Sequence, residues 1–265
     1  MSMNVSDDEM NKLLGSGLRA LILDLRENTG GLLDSAQEVA DRFLESGLIV
    51  RTSGRMTDTK QRFASREGTY PAIPLVVLVN ESTASAAEIV AGSLRDHERA
   101  VVIGVQTCGK GSVQEVVELI GQHGAIKLTT AYYYLKNGEC IHKTPEAEKS
   151  GSWGVRPNIT VSLTLEQRKK WEQSWRDITR EPATDAANES LDGSTATDEV
   201  TGQSEKDGTH EKLQSDVIAQ RASALMTQDV QLQAAFDYLC KLLSPKENPG
   251  RIEPASQSVN ENAKS

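Results

Sequence analysis

The stretch GVQTCGKGSVQ, from Gly104 to Gln114, sets a lysine between two glycines. Gly104, Gly109 and Lys110 have the spacing of a phosphate-binding loop. Gly111, however, stands where such a loop needs Ser or Thr, and Ser112 comes one residue late. A phosphate cradle must also lead from a strand into a helix, so that backbone N–H groups and the helix N-terminus face the anion. Beyond Gly111 the chain instead runs SVQEVVEL, with β-branched residues in alternation, which reads as a strand. The nucleotide reading therefore fails twice. Two readings remain: a glycine turn with a solvated lysine, or a lysine whose neutral amine acts as a base. The second requires its pKa to fall from ~10.4 to about 7–8, roughly 3–4 kcal/mol of desolvation and neighbouring dipoles. Glycines on both sides would let Lys110 lie deep against backbone, and Gln114, four residues on, would hold the amine through its amide oxygen.

A base needs a nucleophile. NESTASAAEI places Ser85 between a turn and an apolar helix, with Glu88 three residues later. That is a capping box, in which the serine accepts from the third backbone N–H and the glutamate reaches back. The same geometry suits catalysis. A serine on a tight strand-to-helix turn is presented at a sheet edge, and the N–H of the next residue, Ala86, points where an oxyanion would form. DLRENTGG, from Asp24 to Gly31, is either an ordinary helix-initiating turn or the source of a second oxyanion donor from a glycine N–H.

The elements that would position these residues are legible from periodicity. ALILDL (20–25), PLVVLV (74–79) and AVVIGV (100–105) are short apolar runs bounded by turn residues, which predicts buried strands. Leu32, Leu33, Ala36, Val39, Ala40, Phe43 and Leu44 recur at helical spacing, and SAAEIVAGSLRD is a second helix. Strand, helix, strand repeated implies parallel βαβ units. GLIVRT restores strand character, and 53–70 is polar, an exposed hairpin or loop. From Ser112 onward, SVQEVVEL, AIKLTTAYYYL and ITVSL are β-rich without intervening helices, which predicts an antiparallel or mixed half. A charged helix with Trp171 and Trp175 comes next. A last helix, near Asp229 to Leu243, places Val230, Leu232, Ala235, Phe236, Leu239, Leu242 and Leu243 largely on one side. Between the two, Thr, Ser, Asp, Glu, Gly and Asn dominate, and such a segment cannot bury enough surface to offset its ordering entropy.

Composition narrows the function classes. The 265 residues carry a net charge of −9, which argues against a nucleic-acid partner. No apolar run approaches the ~18 residues needed to span a bilayer, and the polar, acidic start MSMNVSDDEM is no secretory signal. Cys108, Cys140 and Cys240 are far apart and odd in number, so neither a zinc cluster nor a disulfide framework is indicated. No cofactor or metal is called for.

Taken together, LILDLRENTGGLLDSAQEVADRF, PLVVLVNESTASAAEIVAGSLRDHERAVVIGVQTCGKGSVQ, AIKLTTAYYY and GVRPNITV resemble, in order, the carboxyl-terminal processing peptidases, also called tail-specific proteases. The resemblance runs from about Leu21 to Val161. It implies a serine peptidase with a Ser–Lys dyad and no histidine. On the motif, Ser85 rather than Ser82 is the nucleophile, Lys110 the base, and Gln114 the residue that positions the lysine. The amides of Ala86 and Gly31 match the oxyanion hole. Asp96 falls on an acidic position with a supporting role, or simply contacts Arg95 or Arg99 at a helix end. Thr29 stands where proline is common, and Cys108 where an aromatic is common.

The resemblance also implies substrates that are proteins or peptides with nonpolar C-termini, a periplasmic or cell-envelope location, and a PDZ domain upstream. Only 20 residues precede Leu21, so the chain reads as the back half of such a protease. The expected fold is α/β: a mixed-sheet peptidase core of the crotonase/ClpP-like kind with flanking helices. The core is expected over 1–179, a disordered linker over 180–212, a C-terminal helical segment over 213–245 and a disordered tail over 246–265. Two alternatives stay open, a non-catalytic peptide-binding or scaffolding remnant and a crotonase-like acyl-transfer enzyme.

Overall fold

In a computed structural model, the chain is described over residues 7–55, 58–119, 124–179 and 226–244. The linker expected over 180–212, residues 213–225 of the expected helical segment, and the tail expected over 246–265 lie outside the described residues.

The elements in chain order are α1 (Asp7–Gly15), β1 (Leu21–Asp24), α2 (Leu33–Asp41), β2 (Gly47–Ser53), β3 (Lys60–Ala64), β4 (Leu75–Val79), α3 (Ala86–Asp96) and β5 (Val101–Gly104). After them come β6 (Ser112–Glu118), β7 (Ala125–Tyr134), α4 (Pro145–Ser150), β8 (Ile159–Thr160), α5 (Leu165–Thr179) and α6 (Val230–Leu243).

Two four-stranded sheets result. The first is all parallel, in the order β1-β4-β5-β8. The second is antiparallel, in the order β3-β2-β7-β6. The apolar runs read as strands are β1, β4 and β5, and the polar stretch after Ser53 is half a hairpin, with β3 paired to β2. One strand sits in a different sheet from the one its neighbours suggested. Ile159–Thr160 joins the parallel sheet beside β5, because Asn158 binds Val102 twice: its amide donates to the Val102 carbonyl and its side-chain oxygen accepts from the Val102 amide, both at 2.8 Å. That pair of bonds sets a parallel register before the strand begins.

Packing is organised around β4, which is buried at every residue. Val76 and Leu78 face α6, where they meet Ala235 and Leu239. Leu75, Val77 and Val79 face α2 and α3 on the other side, in a core shared with Ile49, Val50, Tyr133 and Leu135. A strand covered on both faces reads as a continuous apolar run rather than an alternation. The layers are α6, the parallel sheet, the α2–α3 pair and the antiparallel sheet. Helix α3 lies between the two sheets, and each of its residues from Ala86 to Leu94 is buried. In α6, Leu232, Ala235 and Leu239 point inward, whereas Val230, Phe236 and Leu242 stay exposed. The apolar set read from the sequence is wider than the single face the sheet can cover.

Two features are open. β1 is an edge strand, paired only with β4 among the described residues. The far ends of β6 and β7 form a two-stranded ribbon that leaves Val116, Val117, Leu119, Ile126 and Leu128 exposed.

Candidate active site

β4 ends at Val79, and the chain must turn within a few residues to start α3 at Ala86. Thr83 builds that turn. Its hydroxyl donates to the Leu25 carbonyl (2.8 Å) and accepts from the Asn80 amide (3.0 Å), tying the end of β4 to the end of β1. Asn80 adds a second tie: it donates to Glu27 Oε1 at 2.7 Å and accepts from the Glu27 amide at 3.1 Å.

Ser85 closes the turn with φ 56° and ψ −119°. A residue with a Cβ rarely takes a positive φ, and holding it there costs on the order of 1–3 kcal/mol, supplied by the surrounding structure. The serine is half-buried and makes no side-chain cap hydrogen bond. In the capping box, the Ser85 amide donates to Glu88 Oε2 at 2.8 Å, and the Glu88 amide also donates to the Ser85 carbonyl oxygen at 2.9 Å.

Glu88 does more than cap. It is fully buried, and its carboxylate accepts from four donors. Oε1 takes the Thr107 hydroxyl (2.5 Å) and the Gly109 amide (2.7 Å); Oε2 takes the Ser85 and Lys110 amides, each at 2.8 Å. Burial pushes the carboxyl above its ordinary range, and the four donors oppose the rise without cancelling it. Because the Ser85 and Lys110 amides share one oxygen, their nitrogens lie at most twice 2.8 Å apart. Two residues 25 apart in sequence are thereby side by side. The Cys108 amide adds a bond to the Thr83 carbonyl at 3.0 Å, and the Thr107 hydroxyl accepts from Val155 at 2.7 Å. Gly109 turns the chain with φ 82°, in a place where a Cβ would strike Trp153 and Lys143. The sequence pointed to Glu88 as a cap. Its larger role was signalled only by being the one carboxylate in an otherwise apolar helical run.

The glycine pair arrives from the other side. The Asn28 carbonyl accepts from the Ala84 amide, and the Asn28 side chain accepts from Gly30, both at 2.9 Å. Gly30, at φ 96°, is pressed onto the serine turn so closely that a Cβ would lie 2.8 Å from the Ala86 nitrogen and 2.9 Å from the Ser85 Cβ. Among the described residues, the amides of Ala86 and Gly31 have no hydrogen-bond acceptor. Two free N–H groups beside a serine are what an oxyanion site needs.

The remaining expected residues are placed differently. The Lys110 side chain is exposed, and its amine has no hydrogen-bond or ion-pair partner among the described residues. The deep seat expected from the flanking glycines is therefore not formed: Gly109 and Gly111 let other side chains approach, and the lysine stem points out. Gln114 lies on β6, exposed and opposite Thr129, with no side-chain bond to Lys110. Asp96 is at the far end of α3 from Ser85, 11 residues on and so about 16 Å away at 1.5 Å per residue. There it pairs with Arg95 at 2.7 Å, the helix-end contact that the sequence left as the alternative.

Comparison with known proteins gives the family. The family model for peptidase family S41 matches residues 2–161, which takes in Ser85, Lys110, Gln114, Ala86 and Gly31. The chain is 43% identical over 164 residues to the carboxy-terminal-processing protease of Bartonella bacilliformis, covering 62% of this chain and 36% of that protein. It is 41% identical over 156 residues to the carboxyl-terminal-processing protease of Synechocystis, covering 59% and 34%. It thus spans about a third of the length of these relatives. Among solved structures, it is similar to the photosystem II D1 C-terminal processing protease, with a TM-score of 0.52 and 32% identity over 58% of this chain and 38% of that one. The family model covers more than half of the chain, and the solved relative shares its α/β core: this chain belongs to peptidase family S41.

Proposed function

We propose that the chain is the catalytic part of a serine endopeptidase that cleaves proteins near nonpolar C-termini. The observation that carries this is the left-handed Ser85 turn, flanked by two unbonded amides and tied through Glu88 to the lysine turn. Ser85 Oγ attacks the scissile carbonyl carbon and gives its proton to neutral Lys110 Nζ. The amides of Ala86 and Gly31 stabilise the oxyanion. As the tetrahedral intermediate collapses, the leaving amine takes the proton from Lys110, and the acyl group stays on Ser85. Water then gives its proton to Lys110 and attacks the ester; as the second tetrahedral intermediate collapses, Lys110 returns that proton to the departing Ser85 Oγ and the new C-terminus is released. Gln114, on β6 and not bonded to Lys110 in the free chain, orients the amine once the substrate covers it. Desolvation of Lys110 comes with the substrate, whose chain covers the exposed amine. By family resemblance, the expected setting is the cell envelope.

The exposed amine also favours a second reading, a peptide-binding remnant without catalysis. A fluorophosphonate separates the two. Covalent label on Ser85 that disappears in Lys110→Ala is expected of the peptidase. Folded chain that takes no label would establish the remnant.

A further inference from the structure

Arg26 is a buried charge that the proposed chemistry does not use. Its side chain is 2% exposed and lies between two carboxylates. Asp24, at the end of β1, accepts from Nε at 2.9 Å and Nη2 at 2.6 Å. Asp229, which precedes α6, accepts from Nη1 at 2.9 Å and Nη2 at 2.6 Å. Gln231 Oε1 takes the remaining Nη1 donor at 3.2 Å, so all five guanidinium N–H groups are used. The ring of Trp171, from α5, covers the guanidinium at 4.9 Å. This planar fork on two carboxylates joins residues 203 apart in sequence.

The position of Arg26 gives the cluster its meaning. Leu25, just before it, is bonded to Thr83 and Leu78. Glu27, just after it, takes φ 56°, an uncommon torsion for a side-chain-bearing residue, and is fixed to Asn80 on both its amide and its carboxylate. From there, Asn28 and Gly30 run directly onto the serine turn. Where the guanidinium sits therefore sets where the chain turns toward Gly31. Asp24 alone cannot fix it, since it lies two residues away on the same strand end and moves with it. Asp229 is anchored elsewhere, on a helix packed over β4 and β5.

We infer that Asp229 is a positioning residue for the peptidase reaction, acting through Arg26 to hold the Asn28–Gly31 loop, and its glycine amide, against Ser85. The inference rests on the proposed peptidase function, and makes the C-terminal helix a working part of the site. Its first consequence is that a chain with α6 undocked keeps its dyad and loses its oxyanion donor.

Asp229→Asn tests this cleanly. Asp229 Oδ1 also accepts from the Gln231 and Leu232 amides, capping α6, and asparagine caps as well as aspartate. The substitution keeps the cap and removes the charge that grips Arg26. Two measurements are made on the full 265-residue chain. In the first, Ser85 is labelled with a fluorophosphonate over a range of concentrations. The limiting rate is expected to fall at least tenfold, with the half-saturating concentration within about twofold of the wild type. In the second, amide hydrogen exchange is expected to quicken at least tenfold at 28–31 and to stay unchanged at 76–78. Arg26→Lys, which keeps the buried charge but cannot fork onto both carboxylates, is expected to show the same pattern. Exchange at 28–31 that matches the wild type in both variants overturns the inference, as does an unchanged limiting rate. A wild-type chain that takes no label would count against the peptidase function instead, and the exchange result would then decide the clamp alone.

Discussion

Ser85 and Lys110 rest their amides on the same Glu88 oxygen, yet everything beyond those amides differs. The serine stands on a turn closed by Thr83, Asn80 and Gly30, between a buried strand and a buried helix. The lysine leaves the same anchor and projects into solvent at the root of a ribbon whose far end leaves Val117 and Leu128 each 47% exposed. Backbone geometry and side-chain environment are thus set by different parts of the molecule. The parallel sheet fixes where both reacting groups begin. A lysine that acts as a base needs a cover from water, and the described part of the core leaves this side chain exposed. In the proposed mechanism, the substrate is that cover.

The sharpest way to break this comparison is to remove each reacting group. Ser85→Ala and Lys110→Ala are each expected to lower peptide cleavage at least 10³-fold, on the order of 4 kcal/mol, with circular dichroism unchanged, because nucleophile and base act as a unit. Lys110→Arg is expected to be as inactive, since a guanidinium does not deprotonate near neutral pH. Near-normal cleavage by either lysine variant would show that some other group is the base.

Stability should divide along the same line. Leu78→Ala, between α6 and the sheet, is expected to cost about 3 kcal/mol in a urea melt, and Val117→Ala on the ribbon less than about 0.5 kcal/mol. Equal losses would mean that the ribbon is covered in solution. Glu88→Gln lies between these extremes. Its amide nitrogen would face two N–H donors, so roughly 2 kcal/mol of stability should go, together with most of the Ser85 labelling rate. Retained labelling would separate the serine turn from the carboxylate.

The smallest effect concerns the side of the core away from the ribbon. Tyr70 packs edge-on against Phe43 and donates to Asp7 at 2.5 Å. Burial and the neighbouring carboxylate push its phenol up to about 12. The raised value means that the stability it contributes is complete below pH 10 and is lost as pH rises through about 12. An ultraviolet titration of Asp7→Asn should show one phenol moving back toward 10, and an unmoved curve would remove Asp7 as the cause.

Much of this was legible in the residues. The runs LVVLV and VVIG announced buried strands because strands covered on both faces show no alternation, and SAAEIVAGSL announced the helix between the sheets. The serine turn and the glycine pair were legible because chain direction changes there within few residues. The exposure of Lys110 was not, since glycines permit close approach without saying which side chain will make it. Asp96 was ambiguous for a related reason: an acid beside Arg95 at a helix end carries the same letters whether it serves a site or only its neighbour. The parallel placement of β8 depended on Asn158, a polar residue outside the apolar pattern. The Arg26–Asp229 pair spans 203 residues, far beyond any periodicity.

The Glu88 carboxylate also imposes an order in time. Ser85 leaves the ribosome 25 residues before Lys110 and 70 before Val155, whose amide completes the Thr107 contact. At about 5–20 residues per second, the interval from Ser85 to Val155 is roughly 4–14 s. Until residues 107–110 exist, the Glu88 carboxylate has only the Ser85 amide of its four donors, and the lysine is not yet beside the serine turn. On the proposed function, the nucleophile and its base come together only after the chain beyond Lys110 has emerged.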